Sequence, residues 1–381
     1  MSGVPSGGPK RTLPWMALLA AASLAVSGCA TRPDQAAALD LPLVRAAIIS
    51  SVGEDGRPLD DPPVVRQVGA RNDVLLLSGG GSDGAFGAGV LVGWTAAGTR
   101  PNFDVVTGVS TGALMATLAF LGPSRDADLV RAYTQITTKD VYRKRGVFGL
   151  IGKGALFDRA PLEAMIAGLV TEAMLDEVAR EHKKGRRLFV GTTDLDTGVM
   201  TTWDMGRIAS SASPDRAILY RQVLAASSAL PGLFAPVYIR QSEALPTMHV
   251  DGGVKAAILF RSYMVDPTGQ NENVWAIVNG HVSFKGNEAP GGANAGSIVG
   301  RSVSELLRTI TQRSVQRTYT MTRNAGAKFN LAYLPDDVEE TDPLLFVPLD
   351  MKRLFDKGVS LGSSGGWSPV PPRLEPLERM R

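Results

Sequence analysis

Two glycine-rich turns about thirty residues apart constrain this chain more than any other feature: Ser78-Gly79-Gly80-Gly81-Ser82-Asp83-Gly84 and Gly108-Val109-Ser110-Thr111-Gly112. Each follows a short apolar run and precedes a stretch of helical character. Asp73 to Ser78 reads as a buried parallel strand and Ala85 to Ala97 as a helix of small residues. Phe103 to Thr107 supplies a second strand, and Ala113 to Phe120 the start of a second helix. With one strand-helix-strand unit between the turns, right-handed crossover geometry makes the two strands parallel neighbours. Their carboxyl ends then share one crevice, where open α/β sheets bind ligands.

In a G-x-S-x-G turn the serine stands on a sharp strand-to-helix bend, and the flanking Gly108 and Gly112 leave room where side chains would strike the neighbouring backbone. Ser110 is thereby held up as a nucleophile near the positive end of a helix dipole. Upstream, Gly79, Gly80 and Gly81 let amide N–H groups converge on an anion, as in an oxyanion hole or a phosphate loop. No Gly-Lys-Ser/Thr follows, which removes the P-loop, and the adjacent elbow tips the loop toward acyl transfer. A serine nucleophile needs a base, and three histidines exist. His182 lies in the charged run Arg180-Glu181-His182-Lys183-Lys184 and reads as a solvated helix end. His249 precedes Asp251 by two residues, so alternation puts both on one strand face. His281 follows the apolar run Val274 to Val278 and completes a Ser…Asp…His order. The other candidate base is the carboxylate of Asp251, in Val250-Asp251-Gly252-Gly253.

Taken in order, these residues resemble the patatin-like phospholipases, which use a Ser-Asp dyad in place of a triad. The resemblance runs through Gly79-Gly80-Gly81…Gly84, the Ser110 elbow and Asp251-Gly252-Gly253. It is supported by Thr193-Asp194-Leu195-Asp196-Thr197-Gly198 and by the segment from Ala225 to Pro236, and covers roughly residues 70 to 285. It implies a three-layer α/β/α fold with a mostly parallel central sheet, a Ser110-Asp251 dyad, an oxyanion hole at Gly79 to Gly81, an acyl-enzyme, and a lipid or phospholipid substrate. Two departures stand out. The family commonly carries a basic residue inside the glycine loop, where this chain has Asp83, and many members have an Asn after Asp-Gly-Gly, where this chain reads Val254-Lys255-Ala256-Ala257. An α/β-hydrolase-like esterase using His281 is the enzymatic rival, although in that fold several elements separate the oxyanion glycines from the elbow. A non-catalytic envelope lipoprotein with the same fold is the other alternative.

The N-terminus addresses location. Lys10-Arg11 precede an apolar run of about fourteen residues, Leu13 to Val26, in the layout of a signal peptide. That run is short of the roughly twenty residues a membrane-spanning helix needs. Leu24-Ala25-Val26-Ser27-Gly28-Cys29 resembles a bacterial lipobox, which implies lipidation of Cys29, the one cysteine of the chain, and a membrane anchor at the bacterial cell envelope. Ala30 after the cysteine points to the outer membrane. A formal charge of +3 over 381 residues and the lack of a basic block argue against nucleic acid, and no metal-ligand spacing appears, so neither metal nor cofactor is expected.

The domain plan is therefore a signal peptide at 1–28, a tether at 29–71 with a short helix near Leu43 to Ser50, an acyl hydrolase domain at 72–361 and a disordered tail at 362–381. Within the domain, Leu129 to Thr138 reads as a helix and Arg145 to Phe157 as a mobile flap. Helices are expected at Pro161 to Leu169, Thr171 to His182 and Pro214 to Ser227. Strands are expected at Arg187 to Thr193, Val199 to Asp204, Met248 to Val250 and Asn273 to Val278. A long helix, Ile298 to Thr322, buries Val303, Leu306, Leu307 and Ile310 and turns Arg301, Arg308, Arg313 and Arg317 to solvent. Lys328 to Leu334 and Leu344 to Val347 read as strands, and Asp350 to Ser360 as a closing helix.

Overall fold

The computed structural model of the chain describes residues 39–49, 72–145, 155–265, 272–283, 295–339 and 341–372. The expected signal segment, Cys29, most of the expected tether and the centre of the expected flap lie outside the described residues. In chain order come α1 (Leu41–Ala47), β1 (Ile48–Ile49), β2 (Asn72–Leu77), α2 (Gly84–Ala96), β3 (Val105–Val109) and α3 (Thr111–Leu121). Next are α4 (Asp126–Thr134), α5 (Thr138–Val141), β4 (Arg143–Lys144), β5 (Phe157–Asp158), α6 (Ala160–Leu169), α7 (Glu172–Lys183), β6 (Arg187–Asp194) and β7 (Val199–Asp204). The chain continues through α8 (Met205–Ser210), α9 (Arg216–Ser227), β8 (Val237–Ile239), β9 (Thr247–Asp251), β10 (Glu272–Val278), α10 (Ala295–Asn324), β11 (Lys328–Tyr333) and α11 (Pro348–Ser364).

The main sheet runs β1-β7-β6-β3-β2-β10-β11, with β9 also on β6 and β8 on β9. The five strands β6, β3, β2, β10 and β11 are mutually parallel, and β2 and β3 are neighbours as the crossover argument requires. Strand alternation divides the core into two layers. Leu75 and Leu77 of β2 face the helices α2, α3, α7 and α9, whereas Val74 and Leu76 face α10 and the Ile258–Phe260 segment. This is a three-layer α/β/α arrangement around a mostly parallel sheet.

One register detail positions everything that follows. Along one edge of β6, Arg187 to Gly191 pair in parallel with Val105 to Val109 of β3, and Thr192 to Asp194 pair antiparallel with Asp251 to His249 of β9. Two strands running in opposite directions thus end against successive residues of β6, Val109 opposite Gly191 and Asp251 opposite Thr192. The residues that leave those strands meet.

The structure departs from the sequence reading in several places. Ile48 and Ile49 extend and pair with Trp203 and Thr202, so the middle of the expected tether adds an edge strand to the sheet; two consecutive β-branched residues favour that over further helix. The expected helix Leu129 to Thr138 breaks at Gln135, and Thr137 begins a new helix with its own capping box. Leu344 to Val347 is not a strand: its backbone is claimed by Thr138 and Tyr142, through Phe346 N to Thr138 Oγ1 at 3.0 Å and Tyr142 Oη to Leu344 O at 2.5 Å. Packing also runs past Gly362, since α11 continues to Ser364 and Trp367 lies 4.5 Å from Trp94 and 4.9 Å from Trp275 between ring centroids.

That extension follows from glycine spacing. Gly89 and Gly93 on α2 face Gly358 and Gly362 on α11, and a Cβ at any of them would lie within 2.0 to 2.2 Å of a backbone oxygen of the other helix. The helices run parallel with backbones in contact. Gly358→Val should therefore lower stability by about 3 kcal/mol or more, because no side chain, only backbone, stands in the way. Gly168→Ala, at a helical glycine with open space around it, should raise stability by up to about 1 kcal/mol. Thermal unfolding of the two variants checks both signs.

Candidate active site

Ser110 follows β3 at φ 55° and ψ −125°, the one non-glycine residue with positive φ among the described residues. The turn is this tight because Gly108 and Gly112 stack: a Cβ on Gly108 would lie 2.4 Å from the Gly112 carbonyl oxygen, and one on Gly112 would lie 2.4 Å from that of Leu77. Helix α3 begins at Thr111, so Ser110 sits at its positive end.

Asp251 ends β9 and is buried, while Ser110 and Gly79 to Gly81 are half-exposed. The Ser110 side chain stands beside the Asp251 carboxylate, close enough to favour its charged form, and Oδ1 of that carboxylate accepts the Gly253 amide at 2.7 Å. Burial pushes the Asp251 carboxyl up to about 6, and the neighbouring Ser110 side chain and the Gly253 amide hold it from rising further. The carboxylate lies behind the serine, and the serine faces the open side.

The glycine loop flanks this pair. A Cβ on Gly79 would come 3.2 Å from Ser110 Cβ, so only glycine lets loop and elbow approach without strain. The Gly79 amide is spent on the Ala257 carbonyl at 3.2 Å, a correction to its expected place among the anion-binding donors. No acceptor among the described residues takes the amides of Gly80 and Gly81. Both have positive φ, at 153° and 57°. Asp83 is turned away into a bond from Thr341 Oγ1 at 2.6 Å. The backbone of Ala257 bonds on both sides, accepting from Gly79 and donating to Ser314 Oγ at 3.0 Å.

The histidines lie elsewhere in the network. His249 is buried between Thr192 Oγ1 at 3.0 Å on Nδ1 and Gln241 Nε2 and Thr247 Oγ1 at 2.6 and 3.0 Å on Nε2, with an edge contact to Trp203. Burial drives it down to about 4, so it is neutral at physiological pH and structural. His182 is not a solvated helix end: it packs on Gly206 of α8 with Nδ1 3.8 Å from the Asp204 carboxylate, and burial lowers its pKa. His281 is in the loop after β10, whose Gly280 carbonyl accepts from Leu334. The ionisable group beside the Ser110 side chain is Asp251.

Three positioning groups escaped the sequence reading. Ser227, at the end of α9, accepts the Ser110 amide at 3.0 Å and donates to the Gly191 carbonyl at 2.7 Å. Two residues on, the Ala229 carbonyl accepts the Asp251 amide at 2.9 Å. One short segment therefore fixes the backbone of both residues, a physical role for the Ala225 to Pro236 stretch. Asn279, directly after β10, staples the glycine loop: its amide donates to Ser78 Oγ at 2.8 Å, its Nδ2 to Ser78 O at 2.8 Å, and its Oδ1 accepts from Gly87 N at 3.1 Å. A polar residue closing the run Val274 to Val278 was the available signal. Among the described residues no cluster of three or more His, Cys, Asp or Glu could hold a metal.

Ser227→Ala leaves the Ser110 amide and the Gly191 carbonyl without this partner. It should cost about 1–3 kcal/mol in unfolding free energy. It should also lower kcat on a soluble ester about tenfold with KM little changed, whereas Ser228→Ala one residue away should do neither.

A family profile described as patatin-like phospholipase matches residues 75–262, which run from β2 past Asp251 and hold every residue of this arrangement except Asn279 and the Ser314 and Thr341 contacts. A search of curated proteins finds no match. Among solved structures, VipD from Legionella pneumophila aligns at 13% identity and a TM-score of 0.43, over 84% of this chain and 69% of that one. The complex of full-length SpcU with full-length ExoU from the type III secretion system of Pseudomonas aeruginosa aligns at 16% identity and 0.31, over 67% and 52%. Likenesses this distant carry no argument about chemistry; the profile match does, and it marks residues 75–262 as a patatin-like phospholipase domain, a class of lipid hydrolases.

Proposed function

We propose that the chain hydrolyses carboxylic esters of lipids or phospholipids through a Ser110-Asp251 dyad. The observation that carries this reading is the placing of Ser110, on a strained elbow, against a buried carboxylate, beside two glycine amides without an acceptor among the described residues. Asp251 takes the proton as Ser110 Oγ attacks the ester carbonyl. Gly80 and Gly81 donate to the oxyanion, each worth on the order of 3 kcal/mol in the barrier. The alcohol leaves with the proton, and water, activated by the same carboxylate, releases the acid from the acyl-enzyme. A carboxylate is a poor base in water. Burial raises its basicity here, and the short path to a held hydroxyl removes the cost of finding it.

Lipidation at Cys29 and placement at the outer membrane belong to the same proposal, supported by the lipobox resemblance, because they would bring the site to its substrate. No metal or cofactor enters this chemistry.

Covalent labelling by a fluorophosphonate probe tests the dyad. Ser110→Ala and Asp251→Asn should abolish labelling, and His281→Ala should leave it intact. Labelling that survives Ser110→Ala contradicts the proposal, loss in His281→Ala would favour a histidine-based esterase, and an unlabelled folded wild type would favour a non-catalytic lipoprotein. A stability test runs alongside. The folded carboxyl, at about 6, lies above its ordinary value near 4, so burial favours the neutral acid. That contribution is fully present below about pH 4 and is lost as pH rises through about 6. Asp251→Asn removes the buried charge while keeping the shape, and should raise stability at pH 8 by up to about 3 kcal/mol while activity disappears. Equal stability of the two proteins at pH 8 would contradict a strained, buried base.

A further inference from the structure

The glycine loop is the softest part of the site by composition, because consecutive glycines give up more chain freedom on folding than other residues do. Its amides are divided between two duties. Gly79 N donates to Ala257 O at 3.2 Å, Ser82 N to Pro343 O at 2.9 Å and Asp83 N to Gly80 O at 3.0 Å, whereas the amides of Gly80 and Gly81 have no acceptor among the described residues. The pair offered to an oxyanion is therefore bracketed by pinned amides. The upstream pin, Ala257, lies inside the matched residues 75–262, and the downstream pin, Pro343, lies far beyond them.

Thr341 to Phe346 form a strap across that loop. Proline at the second position of a β-turn presets φ and brings no N–H, and Asp342 closes the turn twice, its carbonyl accepting from Leu345 N at 2.9 Å and its Oδ1 from Leu344 N at 2.9 Å. The turn aims the Pro343 carbonyl at the loop, where it takes the Ser82 amide and lies so near Gly81 that a Cβ there would overlap it. On one side of the turn Thr341 Oγ1 donates to Asp83 Oδ1 at 2.6 Å, a short bond of the kind carboxylates accept. On the other, Tyr142 Oη donates to Leu344 O at 2.5 Å and Thr138 N to Phe346 O at 3.0 Å. Asp83 occupies the N-cap position of α2, where its carboxyl would ordinarily accept from its own helix. It makes no such bond, and Asn279 Oδ1 takes the first-turn amide of Gly87. The Asp83 carboxyl is left to hold the strap.

We propose that Thr341 is a positioning residue for the oxyanion hole. Through Asp83 and the neighbouring Pro343 carbonyl it fixes the downstream end of the glycine loop, and so sets where the Gly80 and Gly81 amides point. A segment outside the patatin-like domain thereby belongs to the catalytic apparatus. Oxyanion donors act only when held within about half an ångström of their working place, so a loosened loop costs rate and leaves substrate binding nearly as it was. The consequence for rate rests on the ester-hydrolase reading; the hold on the loop does not.

Two readouts on the full-length chain separate the hold from its purpose. In Thr341→Val, which keeps the shape and removes the donor, kcat on a soluble ester should fall about tenfold with KM within about twofold of wild type. Hydrogen exchange at the Ser82 and Asp83 amides should quicken about tenfold, while the β3 amides keep their wild-type rates. Thr341→Ser should restore both, and the pH midpoint near 6 should stay in place, because Asp251 is untouched. Pro343→Ala keeps the carbonyl but frees its φ; it should move both readouts the same way by less, and it carries the test if Thr341→Val does not fold. Wild-type exchange across the glycine loop in both variants overturns the proposal. So does wild-type kcat in Thr341→Val, a change confined to KM, or a Thr341→Ser protein as slow as Thr341→Val. A folded wild type that neither labels with fluorophosphonate nor turns over ester contradicts the dyad reading instead, and exchange alone then decides whether the strap holds the loop.

Discussion

The arrangement depends on one edge of one strand. Strand β6 offers a continuous edge to two partners of opposite direction, and the change occurs between Gly191 and Thr192. A parallel strand delivers Ser110 to that point and an antiparallel strand delivers Asp251, so two residues 141 positions apart in sequence meet without either lying on a flexible loop. The junction is crowded, which explains its glycines. A Cβ on Gly252 would lie 2.5 Å from the Gly191 carbonyl oxygen, and that same carbonyl takes the Ser227 hydroxyl. Thr193 Oγ1 donates to the Asp251 carbonyl at 3.0 Å, so β6 holds the Asp251 backbone from its side and Ala229 holds it from the other.

Such an arrangement is costly in isolation. A positive-φ serine stores about 1–3 kcal/mol of backbone strain, and a buried carboxylate adds a comparable amount at neutral pH. The surrounding layers offset it. The two apolar cores on either face of the sheet, the backbone contact of α2 with α11 and the aromatic group of Trp94, Trp275 and Trp367 over-determine the elements that carry the strained residues. Arg186 shows how a buried charge is held here: it donates to Phe103 O at 2.7 Å and Glu181 at 2.9 Å and stacks over Phe120.

Much of this was legible in the residues. The strand-turn-helix units around Gly79 and Ser110 were readable because buried parallel strands are continuous apolar runs and glycine punctuates them, and Thr171 announced its helix as an N-cap, accepting from Met174 N at 3.2 Å. The family resemblance placed Asp251 beside Ser110; the antiparallel step on β6 that brings them together has no local signature. Backbone partners were equally hidden, since nothing in Ser227 or Asn279 names the amide it serves, and nothing in Gly79 says that its N–H is already taken. Periodicity failed at α10 for a different reason. It finds an apolar face correctly but cannot tell whether protein covers it, and Val303 and Leu306 of that face are exposed.

The central claim, that a buried carboxylate at the β3–β9 junction is the base for Ser110, is tested most directly by the pH dependence of the acylation step on a soluble, non-ionising ester. The rate should rise with pH to a plateau with one midpoint near 6, the value at which burial sets Asp251, and Asp251→Asn should leave no such rise. A rate that is flat from pH 4 to 8 in the wild type, or a midpoint near 6 that persists in Asp251→Asn, would contradict it.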